Sequence, residues 1–288
     1  MDLNTLLKSA GIDTESSRVL VLRHSPKEPE LFEVMPWLIT EKPDVFNAYQ
    51  QTQTPRVEKQ MEQSEYIASF FGHETDKAAF VGVFRRNGER LITHRELVGI
   101  PEQLELVKYG LDHSGPKRKL FDLSLTKTLS DWQGKLIIDW PKPAIVWSRW
   151  ADKNVFRVDA ILTESVFTGQ LSDWRSLVFN WGQLHLMPNR WQDVLAHWHG
   201  VYYIWDGSDG KGYVGAAYGK QGFYGRWINY KKSGHGGNKL LKLRKPDLFQ
   251  FSILEWTSSD IEDTEIQSRE ALWKRRLHTR APYGLNEN

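Results

Sequence analysis

At 288 residues, 40% hydrophobic and 12% aromatic, the chain is long enough for two domains with ordinary buried cores, so disorder is not its default state. It contains no cysteine, which excludes disulfides, iron–sulfur clusters, Cys-ligated zinc and Cys nucleophiles; any metal must be held by oxygen or histidine. The formal net charge of +2 hides a split: residues 200–288 hold 14 Lys/Arg against 10 Asp/Glu, and the remainder holds 24 against 26.

Met1 to Glu15 carry neither a basic start followed by an apolar run nor a small-residue cleavage site, and no stretch is apolar enough to span a membrane. A cytoplasmic protein is therefore expected. A short helical segment precedes Arg18 to Arg23, whose Val-Leu-Val-Leu centre reads as a buried strand. Residues 37–70 carry mostly helical signals. Ala79 to Phe84 and Arg90 to Thr93 flank Asn87-Gly88, the strongest short-range hairpin signal, and predict a hairpin there. Further strands are expected at Leu120 to Leu125, Lys135 to Asp139, Ile145 to Trp147 and Phe156 to Leu162, separated by Gly, Pro and Asp turns. The pattern predicts an α+β chain whose residues 1–188 form a mixed domain around a strongly bent sheet or small barrel. Pro188-Asn189 then starts a connecting helix over residues 189–199, with Trp191, Val194, Leu195 and Trp198 on one apolar stripe.

From residue 200 onward the residues begin to suggest chemistry. Gly200 to Trp205 and Gly212 to Ala216 read as two strands joined by the Gly-rich loop Asp206 to Lys211. Alternation puts Tyr202 and Tyr203 on opposite faces. Gly210-Lys211-Gly212-Tyr213-Val214-Gly215 matches a dinucleotide fingerprint literally, but its glycines lie in a hairpin and no acidic residue follows at the required distance. Tyr224 to Lys232 read as a helix with Arg226 and Tyr230 one turn apart on one face. An arginine there suits a phosphate, because its planar fork binds two oxygens at once. Lys220, Lys231, Lys232, Lys239, Lys242, Arg244 and Lys245 surround it with no acidic residue between 220 and 245, which favours a nucleic-acid-binding surface over a merely solvated face. On a helix, Glu270 shares a side with Ile266, Trp273 and Leu277, so it interrupts an apolar stripe. Burying it unpaired would cost on the order of several kcal/mol, which a divalent cation removes; the competing reading pairs it with Lys274 at i+4.

Taken in order, Gly200-Val201-Tyr202-Tyr203-Ile204, Tyr213-Val214-Gly215, Arg226, Tyr230, His235, Glu270 and the Asn286 of Tyr283-Gly284-Leu285-Asn286 resemble the GIY-YIG nuclease family. The resemblance covers about a third of the chain. Val201 and Val214 stand where the family has isoleucines, and the extra Tyr203 leaves open which phenol acts. It implies that residues 200–288 form a small antiparallel sheet flanked by helices and act as a divalent-metal-dependent endonuclease, a phosphodiester hydrolase. It further implies catalytic roles for Tyr202, Tyr213, Arg226, Tyr230 and His235. Glu270 would ligate one Mg2+ or Mn2+, and Asn286 would order the site, with Asn288 a lesser competitor. Tyr202 would be the base, with Lys211 or His235 helping to lower its pKa or to take its proton.

DNA is the expected partner, RNA is left open, and a double-strand cut would need a homodimer or two events. No serine elbow, Walker loop or H-E-x-x-H helix offers another enzyme class. The alternatives are a catalytically idle nucleic-acid binder that keeps the fold, or a structure-specific repair nuclease. Target choice is expected to lie in residues 1–188, where Trp147, Arg149 and Trp150 are candidates for reading a flipped or modified base in a PUA-like or SRA-like barrel. Core packing is the competing reading of that cluster. Such gating suggests a restriction or phage-defence role.

Overall fold

The computed structural model describes residues 1–74, 76–113, 118–167 and 174–287. The chain is mixed α+β and divides into two compact units, Met1–Gly169 and Gln170–Asn288. Among the described residues, no helix is long and apolar enough to cross a membrane.

The strands of the first unit are β1 (Val19–His24), β2 (Tyr66–Glu74), β3 (Lys77–Ile92), β4 (Arg118–Leu125), β5 (Leu136–Asp139), β6 (Ser148–Trp150) and β7 (Val158–Ile161). Its helices are α1 (Leu3–Ser9), α2 (Pro29–Glu41), α3 (Pro43–Gln50), α4 (Pro55–Met61), α5 (His94–Leu97) and α6 (Pro101–Val107). Proline begins α2, α3, α4 and α6, where its fixed φ suits a helix and its missing N–H costs nothing. β1 and β2 are parallel, so the chain must cross over between them, and α2 to α4 are that crossover. The other pairings are antiparallel, in the order β6-β1-β2-β3-β5-β7, with β4 also on β3. One face of this sheet packs Val19, Val21, Phe70, Phe80 and Ile138 against Leu3, Leu6 and Leu7 of α1. On β2, Ser69 Oγ donates to Gln50 Oε1 of α3 at 2.6 Å.

Three local expectations fail here. The expected hairpin at Asn87-Gly88 is one continuous strand, β3, which pairs with β2 along one edge and with β5 and then β4 along the other. Arg86 faces Leu123 and Gly88 faces Asp122, so Asn87 is the extra residue of a β-bulge, not a turn. Residues 66–70, read with the helical stretch, begin β2, because pairing on both edges outweighs local preference. The strand expected at Ile145 to Trp147 forms instead at Ser148–Trp150.

The second unit contains β8 (Val178–Asn180), β9 (His199–Asp206), β10 (Gly212–Ala217) and β11 (Phe249–Thr257), all antiparallel in the order β10-β9-β11-β8. Its helices are α7 (Trp181–Leu186), α8 (Asn189–His197), α9 (Gly222–Ser233) and α10 (Asp263–Arg276). The boundary drawn at 188 therefore moves upstream: β8 pairs with β11, Trp181 stacks on Phe251, and the unit begins at Gln170. Gly200, with φ of +139°, lies where a Cβ would fall 2.0 Å from Glu255 O, so glycine is required at the start of β9.

Alternation divides the small sheet into two faces. Tyr202, Tyr213, Phe251 and Phe179 meet Phe223, Trp227 and Tyr230 of α9 on one of them. Val201, Val214, Ala216 and half-buried Tyr203 meet Ile266 and Trp273 of α10 on the other.

Candidate active site

The α9 face gathers four of the site residues expected from the sequence. Tyr202 and Tyr230 are buried, their hydroxyl oxygens hydrogen-bonded at 2.9 Å. The rings of Tyr202, Tyr213 and Tyr230 form a triangle with centroid separations of 6.1, 6.3 and 6.4 Å. Gly215 makes room for it, since a Cβ there would lie 2.3 Å from the Tyr202 hydroxyl oxygen. That close approach explains why the third position of Tyr213-Val214-Gly215 must be small. Gly236 plays a similar part beneath Tyr230, where a Cβ would fall 2.5 Å from the ring.

Arg226 lies on this face, half-buried among the phenols. The Tyr202 phenol holds its pKa above the usual arginine value, outweighing the opposite effect of burial. Its Nε is buried without a hydrogen-bond partner, and among the described residues no carboxylate pairs with it. Burial pushes the Tyr202 phenol above the ordinary tyrosine range, Tyr213 adds to the shift, and Arg226 only partly opposes it. Tyr230 is likewise raised by burial. At neutral pH Arg226 is thus a fixed cation beside the protonated Tyr202 and Tyr230. Tyr203, the competing phenol, is on the α10 face, and burial also raises its pKa.

Asn286 closes the exposed edge of β10. Its Oδ1 accepts from Val214 N at 3.0 Å, its Nδ2 donates to Val214 O at 2.8 Å, and Leu285 N donates to Gly212 O at 2.9 Å. The C-terminal segment thereby satisfies an edge that would otherwise invite pairing with another chain. Asn286→Ala should leave both Val214 groups unpaired and cost about 1–3 kcal/mol, read as a lower midpoint in urea unfolding; an unchanged midpoint would show the edge needs no cover. Asn288 lies outside the described residues.

The remaining candidates are placed elsewhere. Lys211 Nζ donates to Pro282 O at 3.0 Å, and Tyr202's hydroxyl partner is Tyr230 rather than this ammonium. His235 sits in the turn after α9, with its Nδ1 accepting from Gly237 N at 3.0 Å. Glu270 rises from α10, whose Ile266 packs on the opposite face of the sheet, and its carboxylate meets Lys274 Nζ at 3.1 Å. The apolar stripe expected around it breaks off, because Leu277 is 39% exposed and Trp273 Nε1 donates to Glu255 Oε2 at 2.8 Å. The i+4 ammonium supplies the opposite charge that a buried carboxylate needs, so burial alone does not require a cation here.

In the basic strip, Lys220, Lys232, Lys239, Lys242 and Lys245 are exposed and Lys231 is half-buried. Arg244 departs from the rest: its Nη1 lies 3.2 Å from Asp206 Oδ2 and 2.7 Å from Asp209 Oδ2, bracing the β9–β10 loop. Asp206 is fully buried. Arg244→Ala is therefore expected to cost about 1.5–3 kcal/mol of stability, whereas Lys242→Ala should stay within about 0.5 kcal/mol. Equal unfolding midpoints for the two variants would contradict this division of roles.

No family model and no curated protein matches the chain. Among solved structures, the catalytic domain of the homing endonuclease I-TevI is similar, at 27% identity over 31% of this chain and 98% of that domain, with a TM-score of 0.27. The phenol–arginine cluster and the edge-closing Asn286 stand on the geometry alone. Two features escaped the sequence: the Asp206–Arg244–Asp209 brace joins residues far apart in the chain, and the close approach of Gly215 and Gly236 to Tyr202 and Tyr230 has no local signature.

Proposed function

We propose that the second unit is a divalent-metal-dependent endonuclease that hydrolyses phosphodiester bonds in DNA, with target choice made by the first unit, in a restriction or phage-defence setting. The observation that carries this reading is Arg226, a charged guanidinium held half-buried among Tyr202, Tyr213 and Tyr230 with no carboxylate of its own among the described residues. An external anion would complete it, and a phosphate offers two oxygens to the planar fork. As a pentacovalent phosphorane forms, charge grows on those oxygens, and a fixed donor stabilises that state more than the ground state. Tyr202 keeps its proton at neutral pH, so its role is to donate to a phosphate oxygen or to orient the attacking water, with Tyr230 fixing its hydroxyl.

Glu270 is the carboxylate proposed to hold one Mg2+ or Mn2+. Its donor set suits a lightly held hard cation, since magnesium keeps several waters when few carboxylates bind it. Among the described residues, no group of three or more His, Asp or Glu could enclose an ion. The ion would act as a Lewis acid toward the leaving oxygen. Lys274 is its competitor for the carboxylate.

Supercoiled circular DNA incubated with the full chain and Mg2+ or Mn2+ should give nicked and then linear forms, and EDTA should stop both. DNA retained without any product would favour the second reading, an idle binder, for which the Glu270–Lys274 pair is the supporting observation. Replacing Lys239, Lys242 and Lys245 together by Ala should flatten the salt dependence of DNA binding, by about 0.9 in log–log slope for each phosphate no longer neutralised. An unchanged slope would return the strip to a solvated face.

A further inference from the structure

The three base-reader candidates of the first unit have separate fates. Arg149 Nη2 donates to Pro141 O and Pro143 O at 3.1 Å each, and Trp150 packs under Arg18, whose Cζ is 4.4 Å from the ring centroid. Of the three only Trp147 lines a cavity, of about 520 Å³, and the charged Arg23, Asp112 and Arg118 of its lining already have partners.

The second unit holds an aromatic side chain in the opposite situation. Tyr283 is 80% exposed, and among the described residues no ring or hydrogen bond holds its phenol. Its backbone, by contrast, is fixed. Tyr283 N and Gly284 N both donate to Arg280 O at 3.0 Å, while Ala281 N donates to Asn286 O and Asn286 N to Thr279 O, each at 2.8 Å. Gly284 is buried against Thr279, where a Cβ would fall 2.2 Å from the carbonyl oxygen. Leu285 N on Gly212 O and Asn286 on Val214 then bracket Tyr213 along β10. The loop that carries Tyr283 and the phenol–arginine cluster therefore share one strand as their mount.

The surroundings of this ring are basic. Residues 271–286 contain Lys274, Arg275, Arg276 and Arg280 and no acidic residue. Arg275 and Arg280 are exposed, and among the described residues neither pairs with a carboxylate. Lys211 Nζ sits on Pro282 O at 3.0 Å, next to Tyr283 in the chain. Asn238 Nδ2 donates to Leu285 O at 3.3 Å, which brings exposed Lys239 to the loop, its Nζ 3.7 Å from Glu287 Oε1. An apolar partner would use the ring and leave the charges idle. An uninterrupted duplex would use the charges, but its stack hides both faces of every base. A strand with unpaired bases uses both, because each base then offers a π-face and each linkage a phosphate.

We propose that the loop over residues 280–286 is a single-strand contact, in which Tyr283 stacks on an unpaired base while Arg275 and Arg280 meet neighbouring phosphates. The second unit then prefers DNA with unpaired bases, as in a flap, bulge or melted segment, to uninterrupted duplex. This rests on the DNA partner of the reading above and not on cleavage.

The test uses the full chain in EDTA, with cleavage off, and reads fluorescence anisotropy of a labelled oligothymidine and of a fully paired duplex of equal length. The parent protein should bind the single strand, and Tyr283→Ala should weaken that binding by about five-fold to a hundred-fold while changing duplex affinity by less than about two-fold. Tyr283→Phe keeps the ring and should bind like the parent. Tyr283→Leu keeps bulk without a π-face and should resemble the alanine variant. These variants are expected to fold, because the side chain is exposed. Arg280→Ala should lower the log–log salt slope on the single strand by about 0.7, for one phosphate fewer. No single-strand binding by the parent, an alanine or leucine variant as tight as the parent, or equal losses on both DNAs would overturn the proposal. Supercoiled DNA left uncut in Mg2+ while Tyr283-dependent binding persists would remove the nuclease reading alone. Cutting that persists with single-strand binding independent of Tyr283 would remove this proposal alone.

Discussion

Arg226→Ala is expected to lower the DNA cleavage rate by on the order of 10²–10³, the usual consequence of deleting a donor aimed at transition-state charge. The effect should appear in kcat more than in KM, because Lys239, Lys242 and Lys245 remain to hold the duplex. Arg226→Lys should recover only part of the rate: an ammonium keeps the charge but cannot bind two oxygens in one plane. Single-turnover kinetics on a labelled duplex reads all three proteins. Unimpaired turnover by the alanine variant would remove Arg226 from the chemistry. Folding is a separate matter, since Trp227 and Tyr230 fill the core of α9 and Arg226 is its half-buried member.

Glu270→Gln should be comparably damaging, by about 4 kcal/mol or roughly a thousand-fold, if the carboxylate holds the catalytic cation. The same substitution should cost more stability than loss of an exposed i,i+4 pair, because the Glu270 and Lys274 side chains are only 18% and 13% exposed. Lys274→Met distinguishes the two readings of Glu270. A purely structural ion pair predicts that both variants lose stability with activity unchanged. A metal-binding Glu270 predicts that Glu270→Gln is inactive while Lys274→Met remains active and saturates at lower metal concentration, its competing cation gone. Activity in Glu270→Gln equal to that of the parent protein would end the metal-ligand assignment.

The sequence showed those parts of the fold whose signals are local. Strands β9 and β10, helices α8 to α10 and the opposite facing of Tyr202 and Tyr203 all follow from periodicity within short windows. Non-local pairing defeated the same reasoning elsewhere. Asn87-Gly88 has the composition of a turn, yet β4 continues along β3 past it and absorbs Asn87 as a bulge. β8 is three residues long and becomes a strand only because β11 pairs with it, which is why the unit boundary was drawn too late.

At the candidate site, Arg226 and Tyr230 could be paired from helical spacing, whereas Tyr202 and Tyr213 were joined to them by the family resemblance, because spacing alone does not bring two strands and a helix together. Arg244 could not be separated from its basic neighbours, because Asp206 and Asp209 lie some 35 positions upstream. The ring of charges and aromatics around the first unit's cavity draws on β1, α3, the 111–113 segment, β4 and the 141–147 segment, and no single window contains it.

The most direct test of the central claim is a crystal structure of Glu270→Gln with a short DNA duplex. The account predicts one backbone phosphate seated on the Arg226 guanidinium, with its oxygens within hydrogen-bond reach of the Tyr202 or Tyr213 hydroxyl. A duplex bound elsewhere, with Arg226 touching no phosphate, would contradict it.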